Sequence, residues 1–216
     1  MNTTLNKTVV WALVVVFFII PGGLLAQAQE RAGSAFSFGI KGGFSLPTLS
    51  SSVDESYPNK PVFGVFVKYY RSPNFAAQLE VFYLTQSLVW NCISTDDQGN
   101  IIYEGPAEDL RMYIHIPVLG KFRIVNKSPV TPVLFAGPAM SVLVKTSTKP
   151  EIAAPDWTPE YRAVNFSFVF GGGLEAAVGR LVLSLDVRYD LGFADIHINI
   201  DEHKTNALMF MAGIGF

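Results

Sequence analysis

FSFGIKGGFSL, residues 36–46, sets the phase in which the rest of the chain is read. Its even positions are Phe36, Phe38, Ile40, Gly42, Phe44 and Leu46, and its odd positions are Ser37, Gly39, Lys41, Gly43 and Ser45. Successive side chains of a strand point to opposite faces. One face of this segment is therefore apolar and aromatic, and the other is small or charged.

The same alternation recurs seven more times, in residues 61–70, 75–88, 109–124, 131–145, 163–178, 181–191 and 205–216. In 181–191 the apolar set Leu181, Leu183, Leu185, Val187 and Tyr189 stands opposite Ser184, Asp186, Arg188 and Asp190. The 131–145 segment is less regular, because Pro132 and Pro138 lie inside it. The connections between the eight segments run 14, 4, 20, 6, 17, 2 and 13 residues, so long and short alternate without exception. An even number of strands with long loops at one end and tight turns at the other is the signature of a transmembrane β-barrel. Eleven residues at about 3.3 Å each span ~36 Å, and a tilt of about 40° projects this to ~28 Å, close to an apolar band ~25 Å tall. Phe36, Tyr69, Phe75, Phe122 and Phe216 fall at one set of strand ends, and Phe44, Phe63, Tyr83 and Tyr189 near the other. Two aromatic girdles are expected where amphipathic rings meet the two membrane interfaces. A soluble barrel or sandwich would also alternate, but its second face would be rich in Lys, Glu and Asp. Here that face is mostly Gly, Ser, Ala and Asn with isolated charges, which suits a narrow lumen. The expected fold is an all-β, eight-stranded antiparallel up-and-down transmembrane barrel in the outer membrane, with both termini periplasmic.

Composition agrees. Half of the residues are hydrophobic and only 16% are charged, against about 25% in a typical soluble domain. A net charge of −2 provides no electrostatic case for nucleic acid. The first 28 residues read as a signal peptide: Lys7, an uncharged apolar run from Thr8 to Ile20, the breaker Pro21-Gly22-Gly23, and the small-x-small site Ala26-Gln27-Ala28. The apolar run falls short of the roughly 20 residues a spanning helix needs, so cleavage after Ala28 is expected, leaving a barrel domain over 29–216. Cys92 is the sole cysteine, which excludes an internal disulfide.

Five stretches in order carry a resemblance to a known family: Phe38-Gly39-Ile40-Lys41-Gly42-Gly43, Ile114-His115-Ile116-Pro117-Val118-Leu119-Gly120-Lys121-Phe122, Phe135-Ala136-Gly137-Pro138, Gly171-Gly172-Gly173-Leu174-Glu175 and Leu185-Asp186-Val187-Arg188-Tyr189. Together they resemble the PorT-like small outer-membrane β-barrel proteins of Bacteroidetes, over about residues 36–216. His115 departs from that pattern, where a Glu is expected. The resemblance implies an outer-membrane location and an eight-stranded barrel. It also implies a link, through one member, to protein secretion and gliding, but it transfers no activity.

Alternation assigns to the lumen Lys41, Lys68, Glu80, Arg111, His115, Lys121, Arg123, Glu175, Asp186, Arg188 and Asp190. An eight-stranded barrel is only wide enough to be filled by side chains, and an unpaired buried ion costs several kcal/mol. These groups are therefore expected to pair into a plug rather than line a porin. Phe210, Ala212, Ile214 and the terminal Phe216 look like the signal read by the barrel-assembly machinery.

No catalytic, cofactor or metal site is assigned. His115 faces the lumen. His197 and His203 lie in a loop where no Ser stands near enough for a Ser-His pair. Asp195, His197, Asp201 and His203 offer imidazole and carboxylate, yet their spacing matches no defined metal site. The loops are the stronger candidates. Residues 89–108 alternate around Asp97-Gln98-Gly99-Asn100 and predict a strand pair turning at Gln98-Gly99 above the membrane. Residues 146–162 carry Trp157 and Tyr161 among three prolines, a composition suited to partner contact. The expected function is structural or interactive, with extracellular loops presented to a protein partner or surface complex, or with the periplasmic turns as the contact. The alternatives are a narrow channel or small-ligand carrier, and a lipid-acting enzyme.

Overall fold

A computed structural model describes residues 36–47, 58–96, 98–125, 128–149, 163–195 and 204–216. The signal-peptide segment, Trp157, Tyr161, His197, Asp201 and His203 lie outside the described residues. Eight strands follow one another: β1 Phe36–Pro47, β2 Lys60–Tyr70, β3 Phe75–Thr95, β4 Ile101–Arg123, β5 Val130–Lys149, β6 Val164–Val178, β7 Leu181–Asp195 and β8 Lys204–Gly215. Each pairs antiparallel with the next, and β1 pairs with β8, so the sheet closes as an up-and-down barrel. Closure continues past the last assigned strand residue, because Phe38 and Phe216 exchange both backbone hydrogen bonds, at 2.8 and 2.9 Å.

The phase set by residues 36–46 places Ile40 and Phe44 outward at 61% and 60% exposure, and Lys41 inward at 3%. In β7, Leu183, Leu185 and Val187 are exposed while Ser184, Asp186 and Arg188 are buried. An all-round apolar exterior with a charged interior inverts the arrangement of a soluble barrel. Among the described residues no helix is long and apolar enough to cross a membrane. At the short-turn end the ring centroids of Phe36 and Tyr69 lie 5.0 Å apart and those of Phe75 and Phe122 5.1 Å apart, both as tilted pairs. Nearer the other end Phe63 meets Tyr83 at 5.4 Å and Phe170 meets Tyr189 at 5.6 Å. These are register-paired neighbours on adjacent strands, so the girdles also hold register.

The two-residue turn between β6 and β7 works because Gly179 adopts φ 62°, a conformation such turns require and L side chains resist. The long connections are shorter than the alternation alone indicated. β3 and β4 continue through the 89–108 segment as a ribbon turning at 96–100, as the pattern there predicts, and β5 runs on to Lys149.

Inside, large side chains sit against glycines. Phe66 is register-paired with Gly39, Phe82 with Gly64, and Phe135 with Gly171. A Cβ added at Gly64 would meet the Phe82 ring at 2.6 Å and the Val81 carbonyl closer still. In a barrel this narrow, one cross-strand partner can be large only if the other is absent. Gly64→Val is expected to cost about 1–3 kcal/mol through overpacking, read as a lower urea midpoint for the heat-sensitive band on a gel.

Candidate functional site

The lumen is filled in layers. Glu80, on β3, is fully buried and gathers the largest set of partners. Its Oε1 accepts from Lys41 Nζ at 3.0 Å, from Arg188 Nη2 at 3.3 Å and from Gln78 Nε2, and its Oε2 accepts from Arg188 Nη1. Lys41 also donates to Asp186, and Arg188 Nη2 reaches Asp186 Oδ2 at 3.0 Å. Gln78 then passes the network on, its Oε1 accepting from Lys121 Nζ at 3.2 Å. Lys121 and Lys68 both donate to Glu175 Oε1, at 2.9 and 2.6 Å. Arg123 closes the short-turn end, with Nε 3.4 Å from Glu175 Oε2 and Nη1 donating to the Pro73 carbonyl at 3.0 Å.

This connected network holds five cations, Lys41, Lys68, Lys121, Arg123 and Arg188, against three carboxylates, Glu80, Glu175 and Asp186. Aromatic faces take up the excess positive charge. Lys41 lies 5.4 Å from the Phe66 ring, Lys121 5.4 Å from Phe135, Arg188 5.3 Å from Phe135, and Arg123 5.1 Å from Tyr70. Desolvated cation–π contacts contribute about 2 kcal/mol. The inward rings thus serve as counter-groups as well as packing.

Two further pairs stand apart from that network. His115 Nε2 is 3.6 Å from Asp190, and its Nδ1 lies 2.8 Å from Ser141 Oγ. Arg111 pairs with Asp109 at 3.6 Å. The eleven lumen positions are therefore divided among three groups, and Arg123 sits at the rim with 22% of its side chain exposed, while Lys41, Lys68, Glu80, Arg111, His115, Lys121, Glu175, Asp186, Arg188 and Asp190 are buried. Sequence reasoning missed Asp109 and the inward apolar residues. Val62, Phe82, Leu84, Tyr113, Met209 and Met211 form one packed layer, and Leu119, Val133, Phe135 and Val169 another. Their signal was available, since each occupies the inward phase of its strand.

Phe210, Ala212, Ile214 and Phe216 all face outward on and just after β8. Among the described residues no group of three or more His, Cys, Asp or Glu is arranged to hold a metal.

At the long-loop end β3 keeps its pairing with β2 only as far as Val62↔Leu84, yet runs on to Thr95. β4 is paired with β5 only from Glu108↔Lys149 onward. Beyond these points stands a two-stranded ribbon. Its turn is held by Asp96, whose Oδ1 accepts from the backbone N–H of Gln98 at 2.9 Å and of Asn100 at 2.8 Å, and whose Oδ2 accepts from the Asn100 side chain at 3.0 Å. The bonds from Asn100 hold the Asp96 carboxyl below its ordinary range. At the base Glu108 accepts from Lys60 at 2.7 Å and from Ser87. Those bonds, Lys60 first, hold Glu108 below the usual carboxylate range, so the clamp is intact at neutral pH and is lost only as acid titrates it. Above the clamp, Ile93, Ile101 and Ile102 are 61%, 60% and 49% exposed.

Two solved structures share this architecture. The Neisserial surface protein A matches with TM-score 0.52 and 12% identity, covering 86% of this chain and 98% of that one. The outer membrane protein OprG of Pseudomonas aeruginosa matches with TM-score 0.55 and 11% identity, covering 84% and 96%. At such identities the likeness is one of fold. No curated protein matches the sequence. Residues 26–197 match the outer membrane protein beta-barrel domain family, and with the closed eight-stranded barrel and its apolar exterior the chain belongs to that family.

Proposed function

We propose that this outer-membrane barrel is a structural or interaction protein, a filled cylinder that holds the 89–108 ribbon out to a protein partner. The observation that carries this is the ribbon itself. Seven residues on each arm, 89–95 and 101–107, lie beyond the pairing with β2 and β5, about 23 Å of strand. Its outer surface bears Ile93 and Ile102, and its edges offer backbone donors and acceptors, the features by which a sheet edge recruits another chain. The Asp96 turn and the Lys60–Glu108 clamp preorganise it, which reduces the entropy lost on binding. The ion-paired, aromatic-packed lumen favours this reading over a channel, since water and ions need an unfilled path.

In this reading the short turns and both termini face the periplasm and the ribbon faces outward. The first 28 residues direct export and are removed. Phe210, Ala212, Ile214 and Phe216 are read by the barrel-assembly machinery, and Trp157 and Tyr161 add partner contacts. The PorT-like resemblance agrees with a partner in secretion or surface assembly.

A photoreactive residue at Ile93 or Ile102 is expected to yield a discrete protein adduct in intact outer membranes. The same residue at lipid-facing Leu183 is expected to yield none. Recovery of assembly factors alone, or equal adducts at all three positions, would count against the proposal.

A further inference from the structure

The lumen has one feature that neither the plug nor the ribbon uses. Toward the long-loop end, next to the His115–Asp190 pair, lies a cavity of about 20 Å³, room for one water-sized particle. Its polar lining comes from Gln86, Tyr113, Ser141, Asn165, Ser167 and Asp190, contributed by five neighbouring strands from β3 to β7. Four of these groups present buried oxygens without a hydrogen-bond partner: Tyr113 Oη, Asn165 Oδ1, Ser167 Oγ and Asp190 Oδ1. Ser167 and Asp190 are each only 7% exposed. Buried polar atoms in folded proteins are nearly always paired, and several orphans around one small space point to a common partner.

The chemistry of that partner follows from the atoms. All four orphans are oxygens and one belongs to a carboxylate. Among the described residues no cation lies within hydrogen-bond distance of Asp190. His115 Nε2 stands 3.6 Å away while its Nδ1 is engaged with Ser141. Arg188, two positions along the same face, directs its guanidinium to Glu80 and Asp186. Oxygen donors suit hard cations, and a single carboxylate balances a single positive charge. The nearby polar groups bring no second acid that would favour a divalent ion.

We propose that this cavity binds one small monovalent cation of sodium or potassium size, with Asp190 as counter-charge and Asn165 and Ser167 as further oxygen ligands. The site caps the positively charged network at its long-loop end and neutralises Asp190, a lumen carboxylate that the network leaves out.

The test uses the refolded full chain in detergent micelles near pH 8, above the ordinary imidazole range. Backbone amide shifts of Asn165, Ser167 and Asp190 are followed while sodium chloride, potassium chloride or N-methylglucamine chloride is added. Saturable, localised shifts are expected with sodium or potassium and not with the bulky cation. Asp190→Asn is expected to abolish saturation, and Ser167→Ala to weaken apparent affinity several-fold. Equal shifts with all three salts, or saturation unchanged in Asp190→Asn, would overturn the proposal and leave a bound water as the partner. If Asp190→Asn does not fold, Ser167→Ala decides: weaker saturation supports the cation site and unchanged saturation overturns it.

Discussion

Glu80→Leu is expected to lower the unfolding free energy of the bilayer-inserted barrel by about 3–5 kcal/mol, the cost of breaking a buried ion pair from one side. Glu80 accepts from Lys41, Arg188 and Gln78, so its loss leaves two buried cations facing Asp186 alone. That surplus makes a sharper second expectation. Arg188→Leu added to Glu80→Leu leaves Lys41 opposite Asp186, one charge against one. The double variant should therefore regain part of the loss, with a coupling of about 0.5–3 kcal/mol. Urea titration in lipid vesicles, read by heat-modifiable migration, measures both. Additive losses would show that the charges act independently rather than as a network.

Leu185→Arg is expected to destabilise the barrel by about 2–4 kcal/mol, the cost of a lipid-facing cation near the bilayer midplane. Leu185 is 61% exposed and sits between Leu174 and Ala212 on the neighbouring strands. In a soluble protein an exposed Leu→Arg change would fall within about 0.5 kcal/mol of neutral. Leu181, on the same strand beside the Gly179-Arg180 turn, lies near the interface. Arg there should cost only about 0–1 kcal/mol. The measurement is the difference between the two variants in the same vesicles. Equal, small effects would mean that this face meets water.

Much of this architecture is legible in the chain because a membrane barrel imposes period 2 on both faces at once. In β7 the outward Leu183, Leu185, Val187 and Tyr189 alternate with the inward Ser184, Asp186, Arg188 and Asp190, so orientation, register and burial follow from one pattern. The same logic assigns Lys41, Glu80, Glu175, Asp186 and Arg188 to the interior before any coordinates. It does not say which charge meets which. Lys68 and Glu175 are 107 positions apart and Arg188 and Glu80 are 108 apart, and their meeting depends on how eight strands wrap a narrow axis. Phe66, Phe82 and Phe135 were obscured because aromatics count most visibly toward the girdles, yet in their strands they occupy the inward phase and cover glycines. The ribbon was legible for a different reason. Alternation survives from Val89 to Glu108 and Gly99 marks the turn, where the structure shows φ 81°.

The outward face of this barrel meets lipid across an apolar band centred near Leu185 of β7. Spin labels placed singly at Leu181, Leu183, Leu185, Val187 and Leu191, with Cys92 replaced by Ser, test it in vesicles. The account predicts that accessibility to oxygen over a water-soluble nickel complex rises from Leu181 to a maximum near Leu185 and falls again by Leu191. Labels uniformly open to the nickel complex would contradict it.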